Sequence, residues 1–118
     1  MNLLNLEDVK FKTVTVNGHK FQIRFMSPLD RVSIAQRRMR LQDGQPLSAM
    51  SEEELLFFEN IAIVDVCTEE MPKEFKEHQS CIYWEDISLI NGLANDIRQH
   101  TLDIESKLKK NKSIAGSE

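Results

Sequence analysis

Residues that build catalytic loops and covalent staples are scarce in this 118-residue sequence, which has four glycines, three prolines, two cysteines, one tryptophan and one tyrosine. The glycines stand far apart, so no loop brings several backbone N–H groups around a phosphate, and neither a nucleophile elbow nor a paired metal-ligand motif is present. Cys67 and Cys81 are too few for a disulfide framework or for the four ligands of structural zinc, even with His78 nearby, and are read as reduced thiols. Charge of one sign is not in excess: a net charge of −4 with 29% charged residues argues against general nucleic-acid affinity. No apolar run approaches the ~20 residues of a membrane-spanning helix, and the first residues lack the basic and apolar regions of a secretion signal. The expectation is a cytoplasmic, non-enzymatic protein without cofactor, metal or membrane.

What is present is centred on Leu55 to Cys67, Leu-Leu-Phe-Phe-Glu-Asn-Ile-Ala-Ile-Val-Asp-Val-Cys. Ten of these thirteen residues are apolar and occupy nearly every angle of a helical wheel, so a helix here is expected to be enclosed. The preceding Ser51-Glu52-Glu53-Glu54 reads as a capping box, with three carboxylates at the positive end of the helix dipole. Pro72 bars a long continuation.

Upstream, Lys12 to Val16 and His19 to Phe25 are β-prone runs separated by Asn17-Gly18, the pair that best tolerates positive φ at both centres of a type I′ turn. A two-residue turn pairs Val16 with His19, Val14 with Phe21 and Lys12 with Ile23, setting Val14, Val16, Phe21, Ile23 and Phe25 on one face. Ser27-Pro28-Leu29-Asp30 then starts a helix running to about Gln42, where Asp43-Gly44 stops it. Leu29, Val32, Ala35 and Met39, widened by Ile34 and Leu41, read as its core stripe, with Arg31, Arg37, Arg38 and Arg40 covering the remainder.

From about Tyr83 to Lys109, the residues Tyr83, Ile87, Ile90, Ala94, Ile97, Thr101, Ile104 and Leu108 follow a four-three spacing, a heptad seam that predicts close helix pairing. The seam residues Tyr83, Ile87, Ile90, Ile97, Ile104 and Leu108 are candidates for self-association or for binding a client. The fold class expected is mainly α, with three or four helices and an N-terminal β-hairpin, in the α+β sense. A single domain over 1–118 divides into a loose leader (1–9), the hairpin (10–26), a helical body (27–110) and a flexible tail (111–118).

Arg31, Arg37, Arg38 and Arg40 form a candidate basic face that tracks phosphates if it is free. The competing reading is that their stems cover apolar surface while their heads pair with acids such as Glu52 to Glu54. His19 and His100 are read as solvated, Glu69 and Glu70 as surface charge, and Trp84 as a core or interface anchor.

The hairpin Val-Thr-Val-Asn-Gly-His-Lys-Phe-Gln-Ile-Arg-Phe, the Ser-Pro-Leu-Asp helix start, the Phe-Phe-Glu-Asn-Ile-Ala-Ile-Val-Asp helix and the terminal Ile-Glu-Ser-Lys-Leu-Lys-Lys together resemble the small tail assembly chaperones of long-tailed bacteriophages, over about residues 11 to 112. The resemblance is one of layout, with no catalytic signature. It implies a self-associating assembly factor of the host cytoplasm that coats the tape measure protein until tail-tube subunits replace it. The alternative is a small regulatory or nucleic-acid-associated protein of a phage or bacterium, acting through the arginine-rich helix.

Overall fold

The computed structural model of the protein describes residues 10–43 and 50–116, with side chains described through position 109. The expected leader over 1–9 lies outside the described residues. Strands β1 (Phe11–Val16) and β2 (His19–Arg24) form the antiparallel hairpin in the expected register, Val16 opposite His19, Val14 opposite Phe21 and Lys12 opposite Ile23. Asn17 and Gly18 have φ of 50° and 82°, the left-handed conformation that a two-residue turn between twisted strands requires. Phe21 and Ile23 are buried, and Val14, Val16 and Phe25 are half-buried.

Helix α1 (Pro28–Gln42) opens with a reciprocal cap. Asp30 N donates to Ser27 Oγ at 3.2 Å, and Ser27 N donates to Asp30 Oδ2 at 3.1 Å. Helix α2 (Glu52–Cys67) opens in the same way: Glu54 N donates to Ser51 Oγ at 3.1 Å, and Ser51 N to Glu54 Oε1 at 3.4 Å. Each cap satisfies two polar groups at a helix end, and both were legible from residue spacing.

A third strand, β3 (Thr68–Glu70), follows α2 directly and pairs antiparallel with β2. The sequence reading missed it because three polar residues carry no alternation. It places β2 in the centre of a three-stranded sheet, order β1-β2-β3. The connection that follows is held by a carboxylate: Asp65 accepts from Ser80 Oγ at 2.6 Å and from Cys81 N at 2.8 Å, and pairs with Arg37 at 3.0 Å.

Helix α3 runs Ile87–Gly116, not from Tyr83 to Lys109. Tyr83 belongs to a short 3-10 turn, Cys81–Tyr83. The helix starts later because Asp86 caps it, accepting from Leu89 N at 3.1 Å. It also continues past Lys109 through 111–116, where a flexible tail was expected; that stretch holds no proline, and Gly116 is its last residue.

The core joins β2, α2 and α3 through Phe21, Ile23, Ile61, Ile63, Val64, Leu89, Ile90, Leu93 and Ile97. Burying these side chains stabilises the fold by roughly 1.5–3 kcal/mol each relative to exposure. Thr101, polar on the heptad seam, is satisfied there: its hydroxyl donates to Ile97 O at 2.8 Å and accepts from Met26 N at 2.9 Å. That bond ties the β2–α1 connection to α3. The enclosure expected of α2 holds for Asn60 to Val64 but not for its first turns, where Leu56 is exposed.

Candidate partner-binding surface

Helix α1 is turned opposite to the sequence expectation. Its apolar stripe faces outward, with Leu29 74%, Val32 54% and Met39 65% exposed, and Ala35 exposed between them. The side turned to the body instead carries Asp30, Ile34 and Gln42, which are buried, with Arg37 and Leu41 half-buried. Two ion-pair systems fix this rotation. Asp30 accepts from Arg24 Nε at 3.2 Å and from Arg24 Nη2 at 2.8 Å, and the same guanidinium pairs with Glu69. About two turns further on, Arg37 reaches Asp65.

Burial pulls the Asp30 carboxyl upward, but the hydrogen bonds from Arg24 and Ser27 outweigh it and hold the group below the ordinary 3.8. The charged partners of α1 are Arg24 of β2 and Asp65 of α2, with Glu69 of β3 holding Arg24, so periodicity within α1 could not reveal them. The reading of Glu69 as surface charge is corrected on the same ground.

Beside the outward stripe lies a cleft of about 380 Å³ between α1, α2 and α3. Its apolar wall includes Ala35, Ile63 and Leu102, and its charged wall holds Arg31, Arg38, Arg98, Glu59 and Glu105. Arg31 pairs with Glu105 at 2.7 Å and Arg98 with Glu59 at 3.6 Å. Arg38 has no acidic partner among the described residues, and its Nε is shielded from water without an acceptor. A second cleft of about 570 Å³ runs between the first half of α2 and α3, past Leu56, Phe57, Asn60, Ile87 and Asn91. Arg98 lines both clefts, so they adjoin.

The basic face is therefore divided. Arg31 and Arg37 are engaged by Glu105 and Asp65, not by Glu52 to Glu54; Arg38 stands in the cleft, and Arg40 is exposed. The heptad seam is divided as well. Ile90, Ile97 and Ile104 are buried within this chain, whereas Tyr83, Ile87 and Leu108 are exposed, so only the ends of the seam reach the surface.

No protein-family model, curated protein or solved structure matches the chain. What the side chains can do rests on their own surroundings. Burial pushes the Cys67 thiol up to about 12, with the nearby Asp30 charge adding to the effect, and burial with the Asp65 charge pushes Cys81 still higher. Neither offers a thiolate near neutral pH.

The histidines have separate surroundings. His19 lies 3.5 Å from Glu74, His78 against the Tyr83 ring, and His100 beside Lys10 O at 3.1 Å. His100 is buried, contrary to its reading as solvated, because its ring also packs toward Phe25. Among the described residues no three His, Cys, Asp or Glu side chains converge as metal ligands, and no helix is long and apolar enough to cross a membrane. Trp84 packs against Phe21 and Phe75, as an anchor of the connection between β3 and α3.

Proposed function

We propose that this protein is a non-enzymatic tail assembly chaperone of a long-tailed bacteriophage, which binds and solubilises the tape measure protein in the host cytoplasm until tail-tube subunits displace it. The observation that carries the reading is the outward apolar stripe of α1. Leu29, Val32 and Met39 recur on one helix face, and a face of this kind left in water favours association with another apolar surface. A long helical client can lay its own apolar stripe against such a face, the geometry of helix-in-groove recognition. Several copies bound along one client gain avidity from modest individual contacts, and each contact remains weak enough to yield to a competing subunit. Self-association belongs to the same proposal, with the exposed seam ends Tyr83, Ile87 and Leu108 as further apolar surface.

The nucleic-acid alternative has less to stand on, because two of its four arginines already neutralise carboxylates within the chain. Co-expression with the neighbouring genes, followed by affinity capture, tests the proposal. A long, heptad-rich protein that is soluble only in the presence of this chain is the expected result. Its remaining insoluble, or retention of the purified chain on DNA at physiological salt instead, would overturn it.

A further inference from the structure

We infer that the cleft between α1, α2 and α3 receives an acidic amphipathic helix, whose carboxylate pairs with Arg38 while its apolar side chains lie on Ala35, Leu102 and the adjoining α1 stripe. This deepens the reading above by naming the chemistry of the client segment. The charges lining the cleft do not balance. Three guanidinium groups face two carboxylates across the cleft: Arg31 pairs with Glu105, Arg98 stands 3.6 Å from Glu59 with its Nη2 lacking a hydrogen bond, and Arg38 has no acidic partner among the described residues. Its guanidinium is the one in the cleft lining that no carboxylate among the described residues offsets. An incoming carboxylate can pair with that guanidinium in a charge-assisted contact, stronger than one between neutral groups. A basic segment would bring a further positive charge beside one that is already unpaired.

The surroundings fix the rest of the occupant. Ala35 belongs to both the cleft and the outward stripe, so the apolar surface runs from Leu102 across Ala35 to Val32 and Met39. A side chain larger than alanine at this crossing would stand between the two. An occupant with apolar residues at helical spacing and an acid flanking them satisfies both the stripe and Arg38, whereas an extended or uniformly acidic segment satisfies only one.

The test is selection from a displayed library of amphipathic helices about five turns long, with positions flanking the apolar stripe drawn from Glu, Lys and Gln. The expected winners carry Glu beside the stripe and bind roughly tenfold more tightly than their Gln counterparts. That preference should vanish with Arg38→Gln and persist in part with Arg38→Lys. Ala35→Glu, at an exposed position where the fold has no stake, should abolish binding of the acidic winners by setting a carboxylate on the cleft's own wall. Enrichment of Lys, absence of any enrichment, or a Glu preference that Arg38→Gln leaves unchanged would each overturn the inference. The library contains no phage protein, so this outcome is separable from whether the tape measure protein is the client.

Discussion

Gly92 lies inside α3, where replacement of glycine by alanine ordinarily gains about 1 kcal/mol of helix propensity. Here a Cβ would lie 2.8 Å from Val16 Cγ1, because β1 crosses α3 at that point. Gly92→Ala is therefore expected to lower the melting temperature, and adding Val16→Ala, which removes the opposing methyl groups, to restore part of the loss. Additive effects in that double-mutant cycle would contradict the close contact. Gly18 is constrained differently: nothing stands near its missing Cβ, but its φ of 82° disfavours any β-branched residue. Gly18→Val should cost roughly 1–3 kcal/mol, measurable by denaturant unfolding. The two thiols supply a check on burial. A thiol-reactive dye should label neither in the native protein and both in denaturant, whereas rapid native labelling would mean that Cys67 or Cys81 is reachable.

At the scale of elements, α1 is the one helix among the described residues whose orientation contradicts its own sequence. Its capping box, its length and its stop were legible because a helix end is specified by residues three apart. The hairpin was legible for the same reason, its register following from two turn residues. Which side of α1 faces inward was not legible, because the pairs Arg24–Asp30 and Arg37–Asp65 decide it, with Glu69 holding Arg24, and Asp65 and Glu69 are distant in sequence. β3 escaped because three polar residues carry no alternation, and the Asp86 cap because position 89 holds Leu in place of the acid that completes a capping box. The same ion pairs make α1 sensitive to acid. The folded-state pKa of Asp30 lies below its ordinary value, so its contribution is present above about pH 4 and is lost as pH falls through the folded-state value. Chemical-denaturation midpoints should be nearly flat near neutrality and fall on the acid side of that value. Asp30→Asn should lower stability by about 1–3 kcal/mol at neutral pH and flatten the acid limb. An unchanged acid limb would mean that Arg24 does not hold α1 through this residue.

Over the whole molecule, apolar side chains divide into those enclosed in the body and those exposed on its surface. Ile97 belongs to the first group, so Ile97→Lys should unfold the chain and not merely dissociate an assembly. Leu29, Val32 and Met39 belong to the second group. Replacing all three by serine should leave the unfolding midpoint within roughly 0.5 kcal/mol per site of the parent, since substitutions at exposed positions seldom cost more. The central claim is that the outward face of α1 is where the client binds. Photo-crosslinking tests it most directly, with a benzophenone side chain placed at position 32 or 39 on the stripe, or at Thr13 on β1 as control, during co-expression with the client. The account predicts client adducts from positions 32 and 39 that disappear when Leu29 is changed to serine and Ala35 to glutamate, and none from position 13. Adducts from position 13 with none from the stripe would contradict it.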